Sequence, residues 1–398
     1  MHELDDRDES PEDARLRAEI RSWLTEHAGP YGRATEHLQL HDTEEYTAAC
    51  RVWQAELDGG GWGTPTWPIE HGGRGLTRSQ ARIIAEEQAA WAVPVGAFSI
   101  AVAMVGPTLM AHGTAAQVDR FLAPIRQGRH VWCQLFSEPD AGSDLASLRT
   151  RAVPDGDDWI VTGQKVWTSG AANADWAILL ARTEPGSWRH AGITYFVVDM
   201  RSPGIEVRPI VQINRNAHFN EVHLDEVRIP GDQVIGELGQ GWSVARTTLS
   251  AERVMIGSIS VLDRVLHLIE AARQAGHTDD PVIRQGLASA YTRASIMGYL
   301  GGRVQASIRR GGRPGAEASV MKLALSTFMA ELGDLSIAAL GTDGLLAGEG
   351  DHGYGQLQDQ FLGQWAARIG GGTEQIQRNL IGEAVLGLPR EPRPAPPA

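Results

Sequence analysis

The residues best suited to chemistry lie between Val131 and Gly170. Gln134, Phe136 and Ser137 lead into Glu138-Pro139-Asp140-Ala141-Gly142-Ser143-Asp144, and a second block reads Gly163-Gln164-Lys165-Val166-Trp167-Thr168-Ser169. Pro139 and Gly142 interrupt an apolar run, so the first block reads as a loop with its backbone N–H groups free to donate. Ser137, Ser143, Thr168 and Ser169 add hydroxyls that donate or accept. That inventory suits a planar, polar ligand bearing phosphates, held by main-chain donors, with Trp167 available to cover one face. A plain serine-rich turn between strands would carry the same residues and bind nothing.

These residues must be positioned by elements whose period changes twice along the chain. Ser10-Pro11-Glu12-Asp13 is a helix start, with a capping Ser, Pro at the first position and acids in the first turn. Leu16, Ile20, Trp23 and Leu24 follow at helical spacing. Further helices are expected over 43–57, 76–91, 96–112 and 115–122, interrupted by the Gly/Pro-rich segment 59–75. From 131 to 235 short apolar or alternating runs predict strands, at 159–162, 176–181, 193–198, 205–210 and 219–224. Helical spacing returns as one long helix over 242–275, then 282–309 (ended by Gly311-Gly312), 316–340, 357–369 and 374–386. The fold class is therefore mainly α with a central β-domain: a helical domain at 1–130, a small antiparallel barrel or sandwich at 131–235, a helical bundle at 236–388, and a Pro-rich tail at 389–398. Residues 1–10 are expected to be disordered.

Composition sets outer limits. The chain has 398 residues, 42% hydrophobic and 21% charged, which reads as soluble and globular. A formal charge of −13 argues against nucleic acid or an anionic membrane as partner. The two cysteines, Cys50 and Cys133, give neither a disulfide framework nor metal spacing, and the histidines are scattered, so no metal is expected. The acidic start is unlike a targeting peptide and no apolar run approaches a spanning length, so a cytoplasmic location is expected.

The two blocks resemble the flavin-binding signature of the acyl-CoA dehydrogenase family, E-P-x-A-G-S-D followed by N-G-x-K-x-W-I-T-N. Here Thr162 replaces the Asn, and Thr168-Ser169-Gly170 replaces I-T-N. Residues 59–75 are similar to the family's G-W-x-x-P-x-x-P-x-x-x-G-G-x-G segment. The resemblance implies a helix, β-domain, bundle architecture and an FAD cofactor. It also implies removal of the α-proton of an acyl-CoA thioester by one carboxylate while the β-hydride passes to the flavin. Electron-transfer flavoprotein and an oligomer follow as partners: a homodimer, a homotetramer or a heterotetramer. Phe136, Ser137, Trp167 and Ser169 match positions around the isoalloxazine ring, with Gln134, Gly142 and Thr168 in the same blocks. Ser143 matches a position near the pyrophosphate and the substrate's pantetheine. Gly372, Thr373 and Gln375 match the adenine half.

The family's commonest base is a Glu in Y-E-G-T-x-x-Q-x-x-R, and Gly371 stands at that position. Other branches place the base in L-x-x-E-R on the first bundle helix. Leu249-Ser250-Ala251-Glu252-Arg253 fits this pattern, so the resemblance assigns Glu252 as base, with Arg253 beside it as a substrate-binding residue that serves structure or charge balance. Glu374 reads instead as a first-turn acid favoured by the helix dipole. Two family motifs are degraded. The Arg of R-x-x-F-G has two candidates, Arg273 and Arg284, and Ala338–Gly344 replaces Q-x-x-G-G-x-G. Such losses occur in branches acting on bulky acyl groups and in subunits that work only beside a second type of subunit. Resemblance to the branch with Q-x-F-S-E-P and G-G-T-x-x-I-Q-R-N implies large or branched acyl groups, ring-bearing or sterol-side-chain CoAs among them, with a carrier-protein thioester as the alternative. A flavin-binding but non-catalytic partner subunit, and an O₂-reacting oxidase or monooxygenase of the same fold, are the alternatives.

Overall fold

The computed structural model describes residues 10–33, 43–257, 261–309, 317–346 and 355–390. The expected disordered start, the Gly311-Gly312 helix end and most of the Pro-rich tail lie outside the described residues. The chain divides into two compact units within one helix, between Thr248 and Leu249, with Val211–Asn216 belonging to the second.

The first unit begins with α1 (Pro11–His27), α2 (Glu44–Gly59), α3 (Arg78–Ala89), α4 (Gly106–His112) and α5 (Ala115–Arg126). Ser10 caps α1 by accepting from the Asp13 N–H, and Thr77 and Thr114 open α3 and α5 with reciprocal capping boxes to Gln80 and Gln117. The expected helix over 96–112 is different. Ala101–Val105 forms a π-helical turn that runs into α4. Two features stabilise it. Pro107 lacks the N–H that a regular helix would use, and the Trp67 indole donates to the Val102 carbonyl at 3.0 Å. The same indole occupies the space beside Gly106, where an added Cβ would lie 2.0 Å from the ring.

One sheet follows, of β1 (Trp132–Leu135), β2 (Arg151–Asp155), β3 (Asp158–Ser169), β4 (Trp176–Arg182), β5 (Ile193–Asp199), β6 (Ile205–Ile210), β7 (Phe219–Pro230) and β8 (Val234–Ile235). The order is β6-β7-β3-β2-β4-β5-β8, with β1 on β4. The expected all-antiparallel arrangement is corrected here, because β1 and β2 both pair parallel with β4. Between β1 and β4 the chain inserts a loop and the β2–β3 hairpin, long enough for the crossover that a parallel pair requires. Cys133, Leu135, Val161, Leu179, Phe196 and Val222 are buried in its core.

The remaining helices are α6 (Gly241–Gly257), α7 (Leu262–Gln274), α8 (Pro281–Arg309), α9 (Glu317–Leu340), α10 (Gly355–Ile369) and α11 (Glu374–Ala384). Where one helix was expected over 242–275, the described residues form two, α6 and α7. Val261 stands at the N-cap of the second. Among the described residues, Ser319–Leu345 is long and apolar enough by composition to cross a membrane, contrary to the sequence expectation. Within the second unit it is the bundle's central helix: α9 packs on α7, α8, α10 and α11, and Phe328, Leu332, Ala339 and Leu340 are buried.

Candidate active site

The first block of the signature forms a tight turn at the end of β1. Glu138 and Ala141 exchange both backbone hydrogen bonds at 3.1 Å, which leaves Pro139 and Asp140 at the tip and Gly142 and Ser143 exposed after it. Phe136 is buried and meets the Tyr195 ring edge-on at 5.9 Å. Tyr195 OH continues to Thr248 Oγ1 at 3.0 Å and Thr248 Oγ1 to Thr108 Oγ1 at 2.9 Å, a buried hydroxyl chain ending on the Met104 carbonyl. The Ser137 carbonyl accepts from the Val166 N–H at 2.9 Å. The two signature blocks are thus hydrogen-bonded neighbours.

The second block is the end of β3, and its register against β7 shifts between Lys165 and Thr168. At that bulge Trp167 has φ of 62°, the left-handed region that a bulky residue avoids. Its ring is 59% exposed and touches Phe219 edge-on. Strained backbone presenting an exposed aromatic ring marks a surface organised for something other than stability. Beside it, the buried Thr168 Oγ1 has no partner and neither has Gln134 Oε1. Ser169, the last residue of the strand, is half-buried.

Three residues of this neighbourhood carried no assigned role in the sequence. Lys165 is fully buried on β3, and its ammonium donates to Phe136 O at 3.0 Å, Glu138 Oε1 at 2.9 Å and Leu180 O at 2.8 Å. The Glu138 carboxylate also accepts from the N–H groups of Arg149 and Thr150 at 2.6 and 2.9 Å. Burial pushes the Lys165 ammonium down to about 8, with Glu138 opposing the shift. Burial pushes Glu138 up, but the Lys165 charge and hydrogen bond and the two N–H groups outweigh it and hold it below the ordinary carboxylate range. Asn220, fully buried on β7, donates to Thr168 O at 3.0 Å while its own Oδ1 has no partner. A signal for Asn220 existed: it is a polar residue at an inward position of an alternating strand.

In the second unit, Glu252 lies on α6 and is half-buried; the Arg253 side chain lies outside the described residues. Lys322 on α9 is buried, donating to Ser326 Oγ at 2.8 Å and to Ala367 O at 2.7 Å at the end of α10. Burial lowers its pKa, and the carboxylates of Glu374 and Glu252 push back. Glu374 is the first residue of α11 and pairs with Arg368 at 2.7 Å. That bond, outweighing burial, holds its carboxyl below the usual range. Gly371 and Gly372, with φ of 67° and 93°, form the turn before α11. Thr373 spends its hydroxyl capping that helix, accepting from Ile376 N, and Gln375 is exposed. Gln377 is buried, donates to Gly371 O, and leaves its Oε1 without a partner. Arg273 is held by Glu270 at 2.5 Å, while Arg284 is exposed on α8. Ala338–Leu340 end α9 and Gly341–Leu345 form a short 3₁₀ turn.

Residues 10–129 match the acyl-CoA dehydrogenase N-terminal domain, residues 133–227 the middle domain, and residues 239–386 the C-terminal domain. The chain belongs to the acyl-CoA dehydrogenase family. It is 40% identical over 388 residues to the acyl-CoA dehydrogenase IpdE1 of Mycobacterium tuberculosis, covering 94% of this chain and 98% of that one. Among solved structures it resembles the Tcur3481-Tcur3483 steroid ACAD, with a TM-score of 0.85, 28% identity and coverage of 96% of this chain and 99% of that one. The ChsE4-ChsE5 complex of Mycobacterium tuberculosis is similar too, with a TM-score of 0.80, 29% identity and coverage of 97% of this chain and 100% of that one. Acyl-CoA dehydrogenases are generally FAD-dependent. The residues present fit that group: orphaned buried acceptors and hydroxyls at Gln134 and Thr168, an exposed aromatic ring, and an open Gly142 with nothing near its Cβ direction.

Proposed function

We propose that this chain is an FAD-dependent acyl-CoA dehydrogenase that desaturates a bulky, ring-bearing acyl-CoA thioester between Cα and Cβ, with Glu252 as base. The observation that carries the base assignment is the exchange of positions: glycine at 371 and a half-buried glutamate at 252 on α6. Glu252 accepts the α-proton as the Cα–H bond breaks, and its carboxylate becomes a carboxylic acid. FAD, when bound, supplies the acceptor for the hydride leaving Cβ, so the products are an enoyl thioester and a protonated Glu252. Backbone donors near the thioester oxygen stabilise the developing enolate charge. The loop through Phe136 and Trp167 orients the ring and excludes water from it. Ser143 serves the pantetheine side. Electron-transfer flavoprotein then reoxidises the enzyme. The bulky-substrate reading is supported by the steroid ACAD among the similar structures.

A second reading is favoured by the altered segments at Ala338–Gly344 and Arg273, together with the two-chain assembly named for ChsE4-ChsE5. In it, the chain works as one subunit of a heteromer whose other subunit completes the cofactor site. Anaerobic titration with a panel of acyl-CoAs, steroid-derived thioesters included, tests both. Bleaching of the oxidised flavin band by the purified chain alone supports the first reading; bleaching only after a second subunit is added supports the second. Glu252→Gln is expected to keep FAD and to slow bleaching roughly a hundredfold to ten-thousandfold. A variant that bleaches at the wild-type rate would falsify the assignment.

A further inference from the structure

The Lys165–Glu138 pair touches no solvent on the lysine side and almost none on the glutamate side, at 0% and 7% side-chain exposure. It therefore cannot contact a ligand directly. Its cost is high, because both ions have left water. Replacing such a pair by two apolar side chains is often neutral or stabilising, so stability alone does not account for it. Its hydrogen bonds supply what apolar packing lacks. The three Lys165 protons go to three separate segments: the end of β1 at Phe136, the turn at Glu138, and β4 at Leu180. The carboxylate takes the N–H groups of Arg149 and Thr150, where β2 begins. Every donor and acceptor of the pair is thus spent on backbone or on its partner, and four chain segments are fixed to one point.

That point lies directly behind the ligand-facing surface. One residue beyond Lys165, the Val166 N–H joins Ser137 O; two residues beyond, Trp167 turns out at positive φ. A further charge that interacts with the pair is Arg182, on β4. Burial lowers its pKa and Glu138 raises it, and its guanidinium donates to the carbonyls of Ala146 and Leu148 in the same loop.

We propose that the buried Lys165–Glu138 pair is the positioning device of the flavin loop, holding Phe136-Ser137 and Trp167-Ser169 in one geometry on which FAD affinity depends. This rests on the reading of the chain as a flavoprotein. Lys165 and Glu138 act through the loop and are positioning residues.

The test compares apoprotein of wild type, Glu138→Gln and the double variant Lys165→Met/Glu138→Leu. Thermal melts establish that each is folded, and FAD titration gives Kd well below the melting temperature. The double variant is expected to melt below the wild-type temperature, because Phe136 O, Leu180 O and the Arg149 and Thr150 N–H groups lose their partners, and to bind FAD at least tenfold more weakly; Glu138→Gln is expected to weaken FAD at least threefold. A folded double variant binding FAD within twofold of wild type overturns the proposal. Should the double variant not fold, Glu138→Gln decides by the same twofold limit. Wild-type apoprotein that binds no FAD either alone or with a second subunit added would instead remove the flavoprotein reading, a result distinct from tight binding by every variant.

Discussion

Trp167 stores strain that a glycine would release. A bulky residue held at positive φ costs on the order of 1–3 kcal/mol, and Trp167 sits at 62°. Trp167→Gly removes that cost but adds conformational freedom to the unfolded chain. Its net effect on stability is expected to stay within about 1 kcal/mol, while FAD retention falls; urea melts and flavin absorbance on the same sample separate the two. The Lys165 ammonium makes a pH prediction with opposite signs in two readouts. Its folded-state pKa, about 8, is depressed from 10.5. Between those values the unfolded chain holds more protons than the native one, so this group makes stability rise with pH. The ammonium that orders the loop is lost over the same range. FAD affinity is therefore expected to weaken above about pH 8 without a parallel loss of stability from this group. On the acid side, Glu138 is depressed and contributes stability that is lost as pH falls through its folded value. The signature blocks were legible in sequence because their spacing is local. The pair inside them was not, since Lys165 and Glu138 lie 27 residues apart and meet only after β1 and β3 are brought together.

Elements were legible where their ends are encoded by neighbours in the chain. Ser10-Pro11, Thr77 with Gln80, and Thr114 with Gln117 write helix starts into a few adjacent residues. Thr373 does the same for α11, and Thr373→Ala is expected to cost about 1 kcal/mol through its lost cap, measured by urea melts. Parallel pairing of β1 with β4 was not legible, because nothing local distinguishes the direction in which a strand is met by a partner more than forty positions away. The π-helical turn was hidden for a similar reason: Trp67 stabilises it from 35 residues earlier. Gly106→Ala drives a methyl group into that buried ring and is expected to destabilise by roughly 1–3 kcal/mol, with the thermal midpoint as readout.

At the scale of the molecule, the second unit exposes Val282, Tyr299, Trp365, Ile369, Leu386 and Leu388, each more than half exposed. Where exposed large apolar side chains gather into one contiguous patch they mark contact surfaces. The 398-residue chain is expected to elute as a dimer or larger in light-scattering chromatography, alone or with a second subunit; an elution as a 43.0 kDa monomer would count against oligomeric function. The domain order was legible because helical and strand periods alternate in long blocks. The partner was not, since an exposed Trp or Leu carries no record of what covers it.

The π-helical turn also gives the chain a way to be re-tuned in a single step. A π turn differs from an α turn by one residue, so deleting one position between Ala101 and Val105 would restore regular winding. The residues immediately before the turn would then rotate by about 100° and shift by about 1.5 Å relative to α4. The side chains from Phe98 to Ile100 would exchange the faces they present while α4 and the sheet stayed in place. In this turn a length change of one residue acts as a rotary dial, and Trp67 is the pin that holds the present setting.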